Sequence, residues 1–165
     1  MLVLAHALLV LLLAAPSSKE VLEERRAGIA REILKIAGHI QREIEAGDAS
    51  ALLERVPPDG LRCGGQVVPR ERVEHDLRTP DSWLHAVLFG GKAASAPPGQ
   101  PASLRELFAA AKEIQVVVAF RADPRSEVGL PCIDYRARDT ITPGAPLCFE
   151  RRDGRWWFTE SLYPC

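Results

Sequence analysis

Closely spaced metal ligands are missing from this chain. Its four cysteines, Cys63, Cys132, Cys148 and Cys165, lie far apart, and no C-x-x-C pair is present. That spacing excludes the usual zinc-ribbon and redox-dithiol signatures. No H-E-x-x-H, G-x-S-x-G or G-x-G-x-x-G motif occurs either, so the metalloprotease, nucleophile-elbow and dinucleotide-loop signals are all lacking. No cofactor, metal site or catalytic centre is therefore expected. An excess of one charge is absent as well: 21 basic residues balance 22 acidic ones, for a net charge of −1. A nucleic-acid partner would need a basic footprint that this balance does not supply. The chain has no internal repeat. Its one compositionally biased stretch, Lys92 to Ala102, is rich in Ala, Pro, Gly and Ser and reads as an exposed loop.

The chain also has no apolar run of the roughly 20 residues that a membrane-spanning helix needs. The longest, Leu2 to Ala15, is about 14 residues. That length, its N-terminal position and the small-x-small sequence Ala15-Pro16-Ser17 fit a secretory signal with cleavage after Ser17. No Lys or Arg precedes the run. No cysteine follows Ala15 to carry a lipid anchor, so no stable membrane attachment is expected after cleavage. Arginine outnumbers lysine 17 to 4, a bias of GC-rich bacterial genomes. The expected location is therefore periplasmic or extracellular. In such an oxidising compartment an even set of cysteines reads as two disulfides. Cys132–Cys148 and Cys63–Cys165 are the favoured pairs among the three possible connectivities.

Residues 18–165 are long enough for one domain with a substantial core. Leu22, Ile29, Ile33, Ile36, Ile40 and Ile44 form one apolar stripe along a helix spanning Ser18 to Ala46. Asp48 caps a short second helix that Pro57-Pro58 ends. A Gly-containing loop and a short apolar stretch, Gln66 to Val68, lead to a third helix beginning at Pro69, with Val73 and Leu77 inward. Residues 79–112 read as an insertion with a helix after Asp81 or Ser82, ended by Gly90-Gly91, and another after Ser103.

Strands follow. Ile114 to Arg121 is β-branched and apolar, with Ile114, Val116, Val118 and Phe120 on one face. Leu130 to Arg138 alternates, with Cys132, Asp134 and Arg136 opposite Ile133, Tyr135 and Ala137. Asp153-Gly154, set between alternating runs, is a two-residue hairpin turn. If Arg152 faces Arg155, Phe149 faces Phe158 and Cys148 faces Thr159. Leu147, Phe149, Trp156, Phe158 and Leu162 then share an apolar face. The expected class is α+β: a long N-terminal helix and shorter helices on one face of a C-terminal antiparallel meander.

That order of elements, closing on Arg-Arg-Asp-Gly-Arg-Trp-Trp-Phe, resembles the ketosteroid-isomerase-like, or SnoaL-like, α+β cone over Glu20 to Leu77 and Glu113 to Leu162. The resemblance implies a pocket between a curved sheet and the helices. It maps no catalytic acid onto this chain, and residues 79–112 depart from the family pattern.

Individual polar residues give weak signals. Glu71 and His75 lie one helical turn apart, but such pairs are mostly surface pairs. His39 falls at the boundary of the apolar stripe. Trp157 shares a strand face with Glu150, and together they form the candidate binding surface. The reading is a non-enzymatic exported binding or interaction domain for a small apolar ligand or a protein partner. The alternative is a small pocket enzyme of the cone type using Asp134, Glu160 or His75 as acid or base.

Overall fold

The computed structural model describes residues 17–63, 65–159 and 162–163. The apolar run Leu2 to Ala15 thus lies outside the described residues, as do Glu160 and Cys165. Among the described residues the chain is α+β, with five helices and six strands.

Helix α1 spans Ser18–Ala46 and matches the predicted bounds. Ser17 is its N-cap. The Ser17 side chain accepts from the Glu20 amide, while the Glu20 carboxylate accepts from the Ser17 amide. Ser17, read as the last residue of the leader, is thus part of the helix start. Gly47 ends α1 in the left-handed conformation. The stripe is buried from Ile33 through Ile36, Ile40 and Ile44, whereas Leu22 and Ile29 are only partly covered. Each fully buried isoleucine contributes about 1.5–3 kcal/mol of transfer energy, so packing rather than propensity holds this helix in place.

Helix α2 (Ser50–Leu53) follows, with Asp48 accepting from the Ser50 amide and hydroxyl. Strands β1 (Leu61–Cys63) and β2 (Gln66–Val68) form a small hairpin. The sequence predicts a loop at β1. Three residues are too few to show a period, and pairing with β2 makes the strand. Helix α3 is Arg70–Arg78. Helix α4 (Trp83–Phe89) is capped by Ser82, which decides between Asp81 and Ser82, and α5 (Leu104–Ala110) is capped by Ser103, as predicted. The segment read as an insertion is not peripheral: Leu84, Leu88, Leu104 and Leu107 join the single hydrophobic core.

The main sheet is a meander in the order β3 (Gln115–Asp123), β4 (Ser126–Arg136), β5 (Leu147–Arg152), β6 (Arg155–Phe158). The last hairpin has the predicted register, Arg152 opposite Arg155 and Phe149 opposite Phe158. Asp153 and Gly154 both take positive φ, at 51° and 77°, as a type I′ turn requires. Phe149, Trp156, Phe158, Leu147 and Leu162 are all buried. The Tyr135 hydroxyl donates to the Ala37 carbonyl at 2.7 Å, joining β4 to the middle of α1. Burial pushes that phenol far above its ordinary pKa.

The end of α2 is bound to the last hairpin through its carbonyls. Arg155 donates to Glu54 O, the Phe158 amide to Arg55 O, and Arg70 to Leu53 O and Val56 O. Arg155, and Arg70 from α3, thus add side-chain donors to carbonyls at the end of α2, where Leu53 O also accepts from the Val56 amide.

Candidate functional site

The most consequential local feature of the sheet is where β4 and β5 stop pairing. Their ladder contains only Cys132 opposite Cys148 and Ile133 opposite Leu147. Cys132 and Cys148 are disulfide-bonded, with Cα atoms 3.9 Å apart. Cys63 is disulfide-bonded too, and the expected partner Cys165 lies outside the described residues.

Backbone alternation explains the end of the ladder. The Thr159 amide donates to the Cys148 carbonyl, so the peptide groups of Cys148 face β6. Cys132, directly opposite, then faces β3. The next residue along β4, Pro131, faces β5 but has no N–H to give. Two residues earlier, Gly129 takes φ of 81°, and a Cβ there would meet the Arg121 carbonyl oxygen at 2.5 Å. A bulge between Arg121 and Asp123 bends the same end of the β3–β4 hairpin. Beyond the disulfide, therefore, the β3–β4 and β5–β6 hairpins separate as a fork.

A cleft of about 570 Å³ lies in this fork. Gly28, Ile29 and Glu32 of α1 line it, together with Val128 to Pro131 of β4 and with Phe149 and Trp156. Gly28 leaves room, since a Cβ there would have no neighbour within 4 Å. A smaller cleft of about 280 Å³ opens on the outer side of the sheet beside Leu130, Cys148 and Thr159, and Arg125 lines both.

The cleft's charged groups are held in place by opposite charges. Asp123 accepts both Arg125 Nε and Nη2, at 3.1 and 3.0 Å, and these bonds hold its carboxyl below the usual range. Glu32 accepts from the Trp156 indole at 2.8 Å and stands 3.8 Å from Arg151. The Arg151 guanidinium also lies 5.5 Å from the Trp156 ring centre. Arg26 donates to the Val128 carbonyl at 3.1 Å and lies over Phe120. Arg125 thus favours the charged form of Asp123 at the wall of a cleft that mixes apolar and charged side chains.

The sequence-predicted residues fall elsewhere, with one exception. Trp157 and Glu150 are cross-strand partners on the outer sheet face. Glu150 also borders the fork, where Arg152 bonds it and reaches Asp59 at 3.0 Å. The half-buried Trp157 ring carries the Arg155 guanidinium 4.5 Å from its centre. Asp134 is bound to Arg136 at 2.7 Å. His75 is exposed on α3 beside Thr79, and His39 pairs with Glu43 at 3.4 Å. The structure does not bring Asp134 and His75 together, and Glu160 lies outside the described residues. Farther along α1, Ile33, Ile36, Ile40 and Tyr135 pack into the hydrophobic core beneath the sheet. Among the described residues, no three His, Cys, Asp or Glu side chains gather as a metal site, and no helix is long and apolar enough to cross a membrane.

Glu32, Arg151 and the fork-facing edge were not legible as a site, because Glu32 and Trp156 are 124 residues apart. Pro131 was the available signal, since proline inside a strand marks a place where a ladder stops.

No protein-family model, curated protein or solved structure matches the chain at a significant level.

Proposed function

We propose that this protein is an exported, non-enzymatic binding domain whose ligand site is the fork cleft. The observation that carries the reading is the cleft itself. Its volume falls within the roughly 300–1,000 Å³ typical of ligand sites, and Ile29, Pro131, Phe149 and Trp156 give part of its lining an apolar character between charged side chains. Charges paired in advance would orient a guest without having to be desolvated separately. The ligand this favours has an apolar body and polar ends that meet Arg25 and Arg151 at the rim. Export rests on the Leu2 to Ala15 run and agrees with the disulfide-bonded cysteines. Processing that spares Ser17 would keep the α1 cap.

Gly28 supplies the test. Gly28→Leu places a side chain in the cleft and removes a helix-interior glycine, so the fold should be retained or strengthened. Ligands found by thermal shift should raise the melting temperature of the native protein and not that of the variant. Equal shifts in both proteins would reject the cleft as the site. Turnover that Asp134→Asn or His75→Ala abolishes, in protein that still folds, would reject the non-enzymatic reading.

A further inference from the structure

The other end of the meander leaves a strand edge open. Among the described residues nothing pairs with β3 on the side away from β4. The strand is nine residues long, and its stretch Gln115 to Arg121 contains no proline, glycine or lysine. Val116, Val117, Val118 and Phe120 are each only partly covered. Proteins usually blunt such an edge with charge, proline or a bulge. Here the bulge lies at the far end, between Arg121 and Asp123, and leaves Gln115 to Arg121 regular.

The direction of the free peptide groups follows from the disulfide-bonded pair. Cys132 faces β3, so Ala119 opposite it faces β4, as do Val117 and Arg121. The N–H and C=O groups of Val116, Val118 and Phe120 therefore point outward. We propose that this edge pairs with β3 of a second copy of the chain, antiparallel about a twofold axis at Val118, giving a continuous eight-stranded sheet.

The sequence about that axis is self-complementary. Val118 meets its own counterpart, Val116 meets Phe120, Val117 meets Ala119 and Gln115 meets Arg121. No like charges face each other within this stretch. The outward-facing residues coincide with the hydrogen-bonded positions of the new ladder, which gives about six inter-copy bonds, two for each of three pairs. The contact is isologous and closes on itself, so it yields dimers rather than fibres. This inference is independent of the fork cleft, which lies on the far side of β4.

Sedimentation of the protein from an exporting host, over a concentration series, reads the association. Amide exchange read residue by residue locates it. The expected result is a concentration-dependent dimer in which the Val116, Val118 and Phe120 amides exchange fast on dilution and slowly when concentrated. The Val117 and Ala119 amides, bonded within the chain, should stay protected throughout. Val118→Pro removes an outward N–H and no intrachain ladder bond, so it should give a folded monomer. If that variant does not fold, the exchange pattern of the native protein decides alone. A chain that stays monomeric at about 1 mM, a dimer whose dissociation leaves those three amides unchanged, or a Val118→Pro protein that dimerises like the native one would overturn the proposal.

Discussion

Cys132 and Cys148 stand directly opposite each other on β4 and β5, and one residue beyond them the ladder ends at Pro131. The disulfide is therefore the hinge point of the fork, and the cleft depends on it. Replacing both cysteines with serine frees a loop closed over a sequence separation of 16. The loop-entropy relation puts the loss near 3 kcal/mol. Urea unfolding of the double variant should show it, and ligand binding at the cleft should weaken more than the stability change alone explains.

The two adjacent tryptophans should behave differently. Trp156 is buried and bonded to Glu32, so Trp156→Ala should cost about 3–5 kcal/mol. Trp156→Phe keeps most of the apolar contact and loses the indole bond, for about 0.5–1.5 kcal/mol. Trp157→Ala should cost clearly less than Trp156→Ala, because that ring is only half-buried beneath Arg155. Denaturant midpoints of the three variants check the order. Equal costs for the two alanine variants would mean that both rings are core.

Gly129→Ala should destabilise the β3–β4 hairpin. The position needs a positive φ, and the added methyl meets the Arg121 carbonyl oxygen. Strain of this kind costs about 1–3 kcal/mol. The melting temperature should fall, and the amides of Arg121 and Leu130 should exchange faster than in the native protein.

Alkali should report on both tyrosines of the chain. Tyr135 and Tyr163 have phenols pushed above their ordinary value near 10, chiefly by burial, and Tyr163 also bonds Asp76 at 2.9 Å. A raised folded pKa gives stability that is complete below the unfolded value and is lost as pH rises above it. Stability should therefore hold to about pH 10 and then decline, with tyrosinate absorbance appearing only as the protein unfolds. A tyrosinate signal from folded protein at its ordinary pH would contradict the Ala37 and Asp76 contacts.

What could be read from the sequence was local. The isoleucine period marked α1 to the residue, and Asp153-Gly154 set the register of the last hairpin because a turn of two residues leaves one choice. Ser103 announced its helix by capping chemistry, whereas Asp81 and Ser82 are both good caps and only the structure selects Ser82. The Cys132–Cys148 pair followed from strand alternation. The cleft was not legible, because it is made where three distant segments fail to touch. The effect of Pro131 depends on which way Cys148 faces, and that is set by Thr159 on another strand. Glu150 and Trp157 were legible as a shared strand face because the hairpin register places them opposite each other. Their contacts with Arg152 and Arg155 were not, since side-chain placement on that face is set by the fold.

Backbone amide and indole chemical-shift mapping of a thermal-shift hit tests the central claim most directly. Perturbations should concentrate at Gly28, Ile29, Phe149, Arg151 and the Trp156 indole and disappear in Gly28→Leu protein. Perturbations centred on Trp157 and the outer sheet face, with the fork unaffected, would contradict it.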